Sequence, residues 1–147
     1  MYKRILVATD GSTLSKKAVK EAIGLAASLE AALVVLNVVP RYPMSYFEGG
    51  ATISPQEVGR IEKDWADKGQ AIADAAQKSA QAAGVTAKAV TARSDLVATA
   101  IMAAAKKNKC DLIVMASHGR KGLSRILLGS ETQQVLTHSS IPVLVLR

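Results

Sequence analysis

Two nearly uninterrupted apolar runs constrain this chain most: Leu33-Val34-Val35-Leu36-Asn37-Val38-Val39, and Leu112-Ile113-Val114-Met115 within residues 111–116. A strand with apolar side chains on both faces must be covered on both, as happens inside a parallel sheet. Between such runs lie amphipathic segments. Over residues 13–31, Leu14, Ala18, Ala22, Leu25, Ala26 and Leu29 recur at the three-and-four spacing of a helix face. Strand and helix patterns alternate from end to end, which predicts a parallel sheet with right-handed crossovers.

The remaining segments fit that plan. A first strand is expected over 3–9 around Ile5, Leu6 and Val7, a third over 85–91 and a last over 143–146. The third alternates more than the others and suits an edge. The stretch Pro40 to Ile53, with its Gly49-Gly50 pair, reads as a loop. Ser54-Pro55-Gln56-Glu57 combines a serine cap, a proline in the first turn and a capping-box glutamate, so a long helix starts there. Its inward face is expected at Val58, Ile61, Trp65, Ile72 and Ala76, with Gly84 as its stop. A third helix is expected from Ser94-Asp95, presenting Val97, Ala100, Ile101 and Ala104, and a short fourth from Ser130. The expectation is an α/β fold: one three-layer α/β/α domain over residues 1–147, Rossmann-like, with a five-stranded parallel sheet of order 3-2-1-4-5. Direction then reverses between strands one and four. Ligands of such sheets bind at the carboxyl ends of the strands beside that switch, which selects the loops 10–12 and 117–130.

Composition narrows the classes. Hydrophobic residues make up 49% and aromatic ones 3%, so Ala, Val, Leu and Ile must build the core. Cys110 stands alone and, with His118 and His138, offers no zinc-site spacing. The first apolar run stops at Thr9-Asp10, too early for a signal-peptide core or a membrane span, so a cytoplasmic protein is expected. The formal charge of +7 rests largely on lysines of expected helix surfaces. With no stacking platform or reading motif beside them, specific nucleic-acid binding is not expected.

Three nucleotide or phosphoryl chemistries are excluded. No G-x-x-x-x-G-K-[ST] occurs, the first strand runs into Asp10-Gly11-Ser12 rather than G-x-G-x-x-G, and Thr91-Ala92-Arg93 ends the third strand without a receiver aspartate. What remains is Ala116-Ser117-His118-Gly119, nine residues, then Gly129-Ser130 at a helix start. Glycines allow backbone amides close to an anion, and a helix N-terminus adds unpaired donors and a positive dipole end. The same residues also suit a plain turn, with Ser130 and Gln133 forming a capping box. Asp10 can accept from ribose hydroxyls, help hold a phosphate-bound metal, or cap the first helix. Arg120, Lys121 and Arg125 would surround a polyphosphate with positive charge, and His118 could reach it. No general-base and nucleophile pair or carboxylate dyad is present.

The spacing of Gly119, Gly129 and Ser130 resembles the nucleotide loop of the ATP-binding universal stress proteins: glycine, two residues, glycine, nine residues, glycine, then serine or threonine. The resemblance extends over the whole chain, through residues 5–12, the strand 110–115, Gly119-Arg120-Lys121-Gly122 and Pro142-Val143-Leu144-Val145. One departure stands out: Ala116 replaces the first glycine, which matters if that position needs a positive φ or a very close backbone approach. The resemblance implies an ATP site, with Mg²⁺ on the phosphates. By the same matching Ala8 and Val38 would line the adenine pocket, Met115 would lie near base or ribose, and Ala116 and Glu131 would approach through backbone atoms. It implies a stress-response regulator with weak or no hydrolysis, or with self-phosphorylation at Ser12, Ser117 or Ser130. A nucleotide-free dimeric interaction module is the alternative. The last strand, apolar on both faces and at a sheet edge, is expected to join a homodimer, with Val145 at its centre.

Overall fold

The alternating segments hydrogen-bond into one sheet, and the computed structural model describes residues 1–43, 53–119 and 128–147. The elements are β1 (Arg4–Ala8), α1 (Thr13–Leu29), β2 (Ala32–Val39), α2 (Pro55–Ala82), β3 (Ala87–Arg93), α3 (Val97–Lys107), β4 (Leu112–Ala116), α4 (Ser130–His138) and β5 (Val143–Leu146). All pairings are parallel, in the order β3-β2-β1-β4-β5. This is the expected doubly wound arrangement.

Side-chain alternation divides the core into two layers. Ile5, Val7, Leu33, Val35, Leu112, Val114 and Ala116 face α1 and α2, meeting alanines such as Ala18, Ala22, Ala73 and Ala80. Leu6, Val34, Leu36, Ile113 and Met115 face α3 and α4, packing on Ala98, Ile101 and Val135. Asp111 pins the start of β1 to β4, its carboxylate accepting from the amides of Lys3 and Arg4 at 2.9 and 3.0 Å. Burial opposes ionisation of this carboxyl, but the amides of Lys3 and Arg4, its own amide and the N-terminal charge together outweigh it and lower its pKa from 3.8.

Three expectations are corrected. The buried seam of α2 is Gly69, Ala73, Ala76 and Ala80. Of the face expected inward, Ala76 is buried whereas Val58, Ile61, Trp65 and Ile72 are half-buried. Small residues win because the helix lies close on β2: a Cβ on Gly69 would stand 2.5 Å from Asn37 Oδ1. Trp65 is instead covered by Tyr42, ring centroids 6.0 Å apart. The third strand starts at Ala87 rather than Val85, because the Val85 amide closes the end of α2 on Ala80 O at 3.0 Å. Lastly, α3 starts at Val97, not at Ser94-Asp95. Ser94 Oγ accepts from the Leu96 amide and Asp95 Oδ1 from the Arg41 amide, both at 3.0 Å, so these side chains shape the preceding loop.

Candidate functional site

β1 and β4 lie side by side, yet β1 leads into α1 on one face of the sheet and β4 into α4 on the other. A crevice opens at their carboxyl ends, as the reversal of winding requires. It holds a cavity of about 500 Å³.

One wall is the turn from β1 to α1. The Thr9 amide donates to Leu36 O at 2.9 Å and its carbonyl accepts from Asn37 Nδ2 at 2.9 Å, so the turn is fixed from β2. Gly11 takes φ 81°, a left-handed conformation that glycine adopts without cost. Ser12 caps α1, its Oγ accepting from the Ser15 amide at 3.2 Å. Asp10 therefore does not fill the cap position; its Oδ1 accepts from the Ser12 amide at 2.9 Å. Its Oδ2 lies 3.0 Å from where a Cβ on Gly119 would stand, so the carboxylate abuts that glycine.

The opposite wall is the start of α4. The Gly129 amide donates to Ser117 O at 2.8 Å, and Thr132 Oγ1 donates to Ala116 O at 3.0 Å and lies 3.2 Å from Ser117 O. A Cβ on Gly129 would come within 3.1 Å of Ser117 O, which accounts for a glycine there. Gly129 is itself the N-cap, without a capping side chain. The capping box expected between Ser130 and Gln133 is absent: Gln133 Nε2 donates to Leu128 O at 3.0 Å. Ser130 is exposed in the first turn, where helix amides have no partner within the helix and the dipole is positive.

The floor is apolar. Ala8, Leu36, Val38 and Met115 come from the sheet, and Val97 and Ile101 from α3. Thus Ala8, Asp10, Val38, Met115, Ala116, His118, Gly119, Gly129, Ser130 and Glu131 all line one cavity. Arg120, Lys121 and Arg125 lie outside the described residues. Sequence reasoning missed Leu36, Val97 and Ile101, and also Thr9, Ser15 and Thr132. The first three carried a signal, since Leu36 shares the strand face of Val38, and Ile101 follows Val97 by one helical turn.

Ala116 sits in β4 opposite Leu146, with extended backbone, and its methyl belongs to the α1-side core while the cavity floor is on the α3 side. No positive φ is needed there. Ser117, 1% exposed, is outside the cavity lining; its Oγ shares a 2.7 Å hydrogen bond with His118 Nδ1. Ser12 is likewise outside the lining, which leaves Ser130 as the cavity's hydroxyl among the three serines considered. A wider groove of about 800 Å³ runs between α1 and α2, lined by Val19, Ile23 and Ile72 with Lys16 and Lys20 at its rim. It lacks the convergence of amides, hydroxyl and carboxylate on an apolar slot. Among the described residues, no three His, Cys, Asp or Glu side chains gather to hold a metal, and no helix is long and apolar enough to cross a membrane.

A doubly wound parallel sheet of order 3-2-1-4-5 with a cleft at its switch point defines the Rossmann-like class of α/β proteins. Residues 1–147 match the universal stress protein family. A universal stress protein of Methanocaldococcus jannaschii is 36% identical over 148 residues, covering 100% of this chain and 83% of that one. Bacillus subtilis YxiE is 32% identical with full coverage of both. Among solved structures, a universal stress protein in complex with cAMP superposes with TM-score 0.70 at 27% identity, covering 99% and 97% of the two chains. The chain belongs to the universal stress protein family.

Proposed function

We propose that the cavity binds an adenine nucleotide, ATP with Mg²⁺, and that the protein is a dimeric stress-response regulator with little or no turnover. One observation carries the reading: a slot of about 500 Å³ joins an apolar floor to the N-terminus of α4 at Gly129-Ser130. The volume falls within the roughly 300–1,000 Å³ of small-molecule sites. The base would lie on Ala8, Val38 and Met115, and the phosphates would meet the leading amides of α4 and the Ser130 hydroxyl. The relative solved with cAMP supports an adenine nucleotide as the ligand class.

Asp10 bears on the metal. A carboxylate facing phosphates is unfavourable unless a cation stands between them. With no metal cluster among the described residues, Mg²⁺ would be held by the phosphates with Asp10 as protein ligand. The bound cation would supply charge neutralisation. Asp10, His118 and Glu131 are the ionisable groups lining the described cavity. The hydroxyl that the described residues set against an imidazole, Ser117 Oγ on His118 Nδ1, lies outside the cavity lining, so the site suits retention of the nucleotide more than its hydrolysis.

Calorimetry on Ser130→Glu tests the assignment. A carboxylate in the first turn favours the helix by about 0.3–1 kcal/mol but repels phosphate, so the variant should melt no lower than wild type while ATP affinity falls at least about tenfold. Equal affinity would overturn the phosphate placement. A wild-type protein that binds no nucleotide at millimolar concentration, and carries none by mass spectrometry after purification, would favour the nucleotide-free interaction module.

A further inference from the structure

The start of α3 has no capping side chain of its own. Its N-cap is Leu96, an apolar residue 67% exposed, and no acidic residue stands in its first turn. The leading amides of a helix lack partners within it, and Ala98, whose amide is one of them, is 1% exposed. Its partner comes from another helix: Glu131 Oε2 accepts from the Ala98 amide at 3.0 Å, across 33 residues of sequence. Glu131 stands in the first turn of α4. One carboxylate thus meets the positive ends of two helices.

Both helices wall the candidate cavity, α3 through Val97 and Ile101, α4 through Ser130, Glu131 and Thr132. The first turn of α4 is tied to the end of β4 by Thr132 Oγ1 on Ala116 O and the Gly129 amide on Ser117 O. A continuous set of hydrogen bonds therefore runs from the sheet, through the start of α4, to the start of α3. Remove the Glu131 carboxylate and the link from α4 is lost: the start of α3 is then held by packing and by the hydrogen bonds of the preceding loop, the Ser94 amide on Val39 O and the Arg41 amide on Asp95 Oδ1.

We propose that Glu131 is a positioning residue whose side chain clasps α3 to α4 and so fixes the spacing between the apolar slot and the Gly129-Ser130 end of the cavity. Its carboxylate is engaged by Ala98 and does not serve as a ligand to the bound molecule. The inference rests on the nucleotide reading of the cavity for its effect on affinity, and on the hydrogen bond itself for its effect on α3.

Three variants separate the roles, each measured for ATP and AMP affinity by calorimetry, for denaturation midpoint, and for hydrogen exchange of the Ala98 amide. Glu131→Ala should speed exchange at Ala98 and weaken both nucleotides by about tenfold, the scale of a lost hydrogen bond to a charged acceptor. Glu131→Gln, which keeps an acceptor oxygen, should hold affinity near wild type. Leu96→Asp placed in the Glu131→Ala background gives α3 a local cap, and should restore the midpoint and the Ala98 protection without restoring affinity. Full recovery of affinity in that double variant, or wild-type affinity in Glu131→Ala, would overturn the clasp and leave Glu131 a mere cap. If the wild-type protein binds neither nucleotide, the functional reading fails on its own. The clasp is then judged by Ala98 exchange, and unchanged protection in Glu131→Ala would overturn it.

Discussion

Ala116 shows how a single position can be read two ways until its backbone is known. Its spacing to Gly119, Gly129 and Ser130 was legible, but whether a methyl is tolerated depends on φ and on which sheet face the side chain takes. With extended backbone and its methyl in the α1-side core, a glycine there should lose packing and raise chain entropy. Ala116→Gly should therefore lower stability by roughly 0.5–1 kcal/mol and leave ATP affinity within about twofold; denaturant melts and calorimetry check both. A clear gain in affinity would mean that the methyl hinders the ligand. Cys110 is legible in a different sense. Its lack of a disulfide partner followed from counting, whereas its inertness follows from burial, which pushes the thiol pKa from 9.0 up to about 11 although Arg4 pulls the other way. A thiol-specific reagent at pH 8 should leave the native protein unmodified and react fully after unfolding. Because the folded value is the higher one, the stability contributed by the protonated thiol is complete below pH 9 and declines as the pH rises through about 11.

At the scale of elements, α2 was legible at both ends, whereas the starts of β3 and α3 were not. Ser54-Pro55 marked the beginning of α2, where Ser54 Oγ accepts from the Glu57 amide at 3.2 Å, and Gly84 marked its close. Yet α1 and α3 end in the same way without a glycine. In all three, one residue turns left-handed (Glu30 φ 54°, Gly84 φ 80°, Lys109 φ 55°) and the next residue donates its amide five positions back: Ala31 to Ala26, Val85 to Ala80, Cys110 to Ala105. Each of those donors is buried at 5–6% exposure, which seals the helix end as the chain heads into a strand. Glu30 and Lys109 escaped sequence reasoning because tertiary burial of the following residue, not local preference, holds them left-handed. That conformation costs a non-glycine residue about 1–2 kcal/mol, and glycine returns roughly half of the gain through its larger unfolded entropy. Glu30→Gly and Lys109→Gly, both at exposed positions, should each raise stability by about 0.5–1 kcal/mol, read from chemical denaturation. A loss at either site would show that the lost side chain outweighs the relieved backbone.

Over the whole molecule, strand order and the placement of the cleft were legible because parallel strands need coverage on both faces and leave few topologies open. The α2 seam and the two-helix role of Glu131 were not, since each depends on contacts between segments far apart in sequence. The proposed homodimer belongs to this scale. β5 pairs with β4 alone and forms one edge of the sheet. Such an edge presents unpaired backbone groups, and a two-fold axis would let two copies of β5 pair antiparallel. Val145, the natural probe by sequence, is a poor one in the structure: it is half-buried and packs on the α3-side core, so a charge there would weaken the fold as well. Leu144 is 40% exposed on the other face. Leu144→Lys should therefore shift a micromolar dimer towards monomer in sedimentation while the far-ultraviolet spectrum stays that of the wild type. An unaffected dimer would place the interface away from β5, and a wild-type monomer at that concentration would remove the dimer from the proposal.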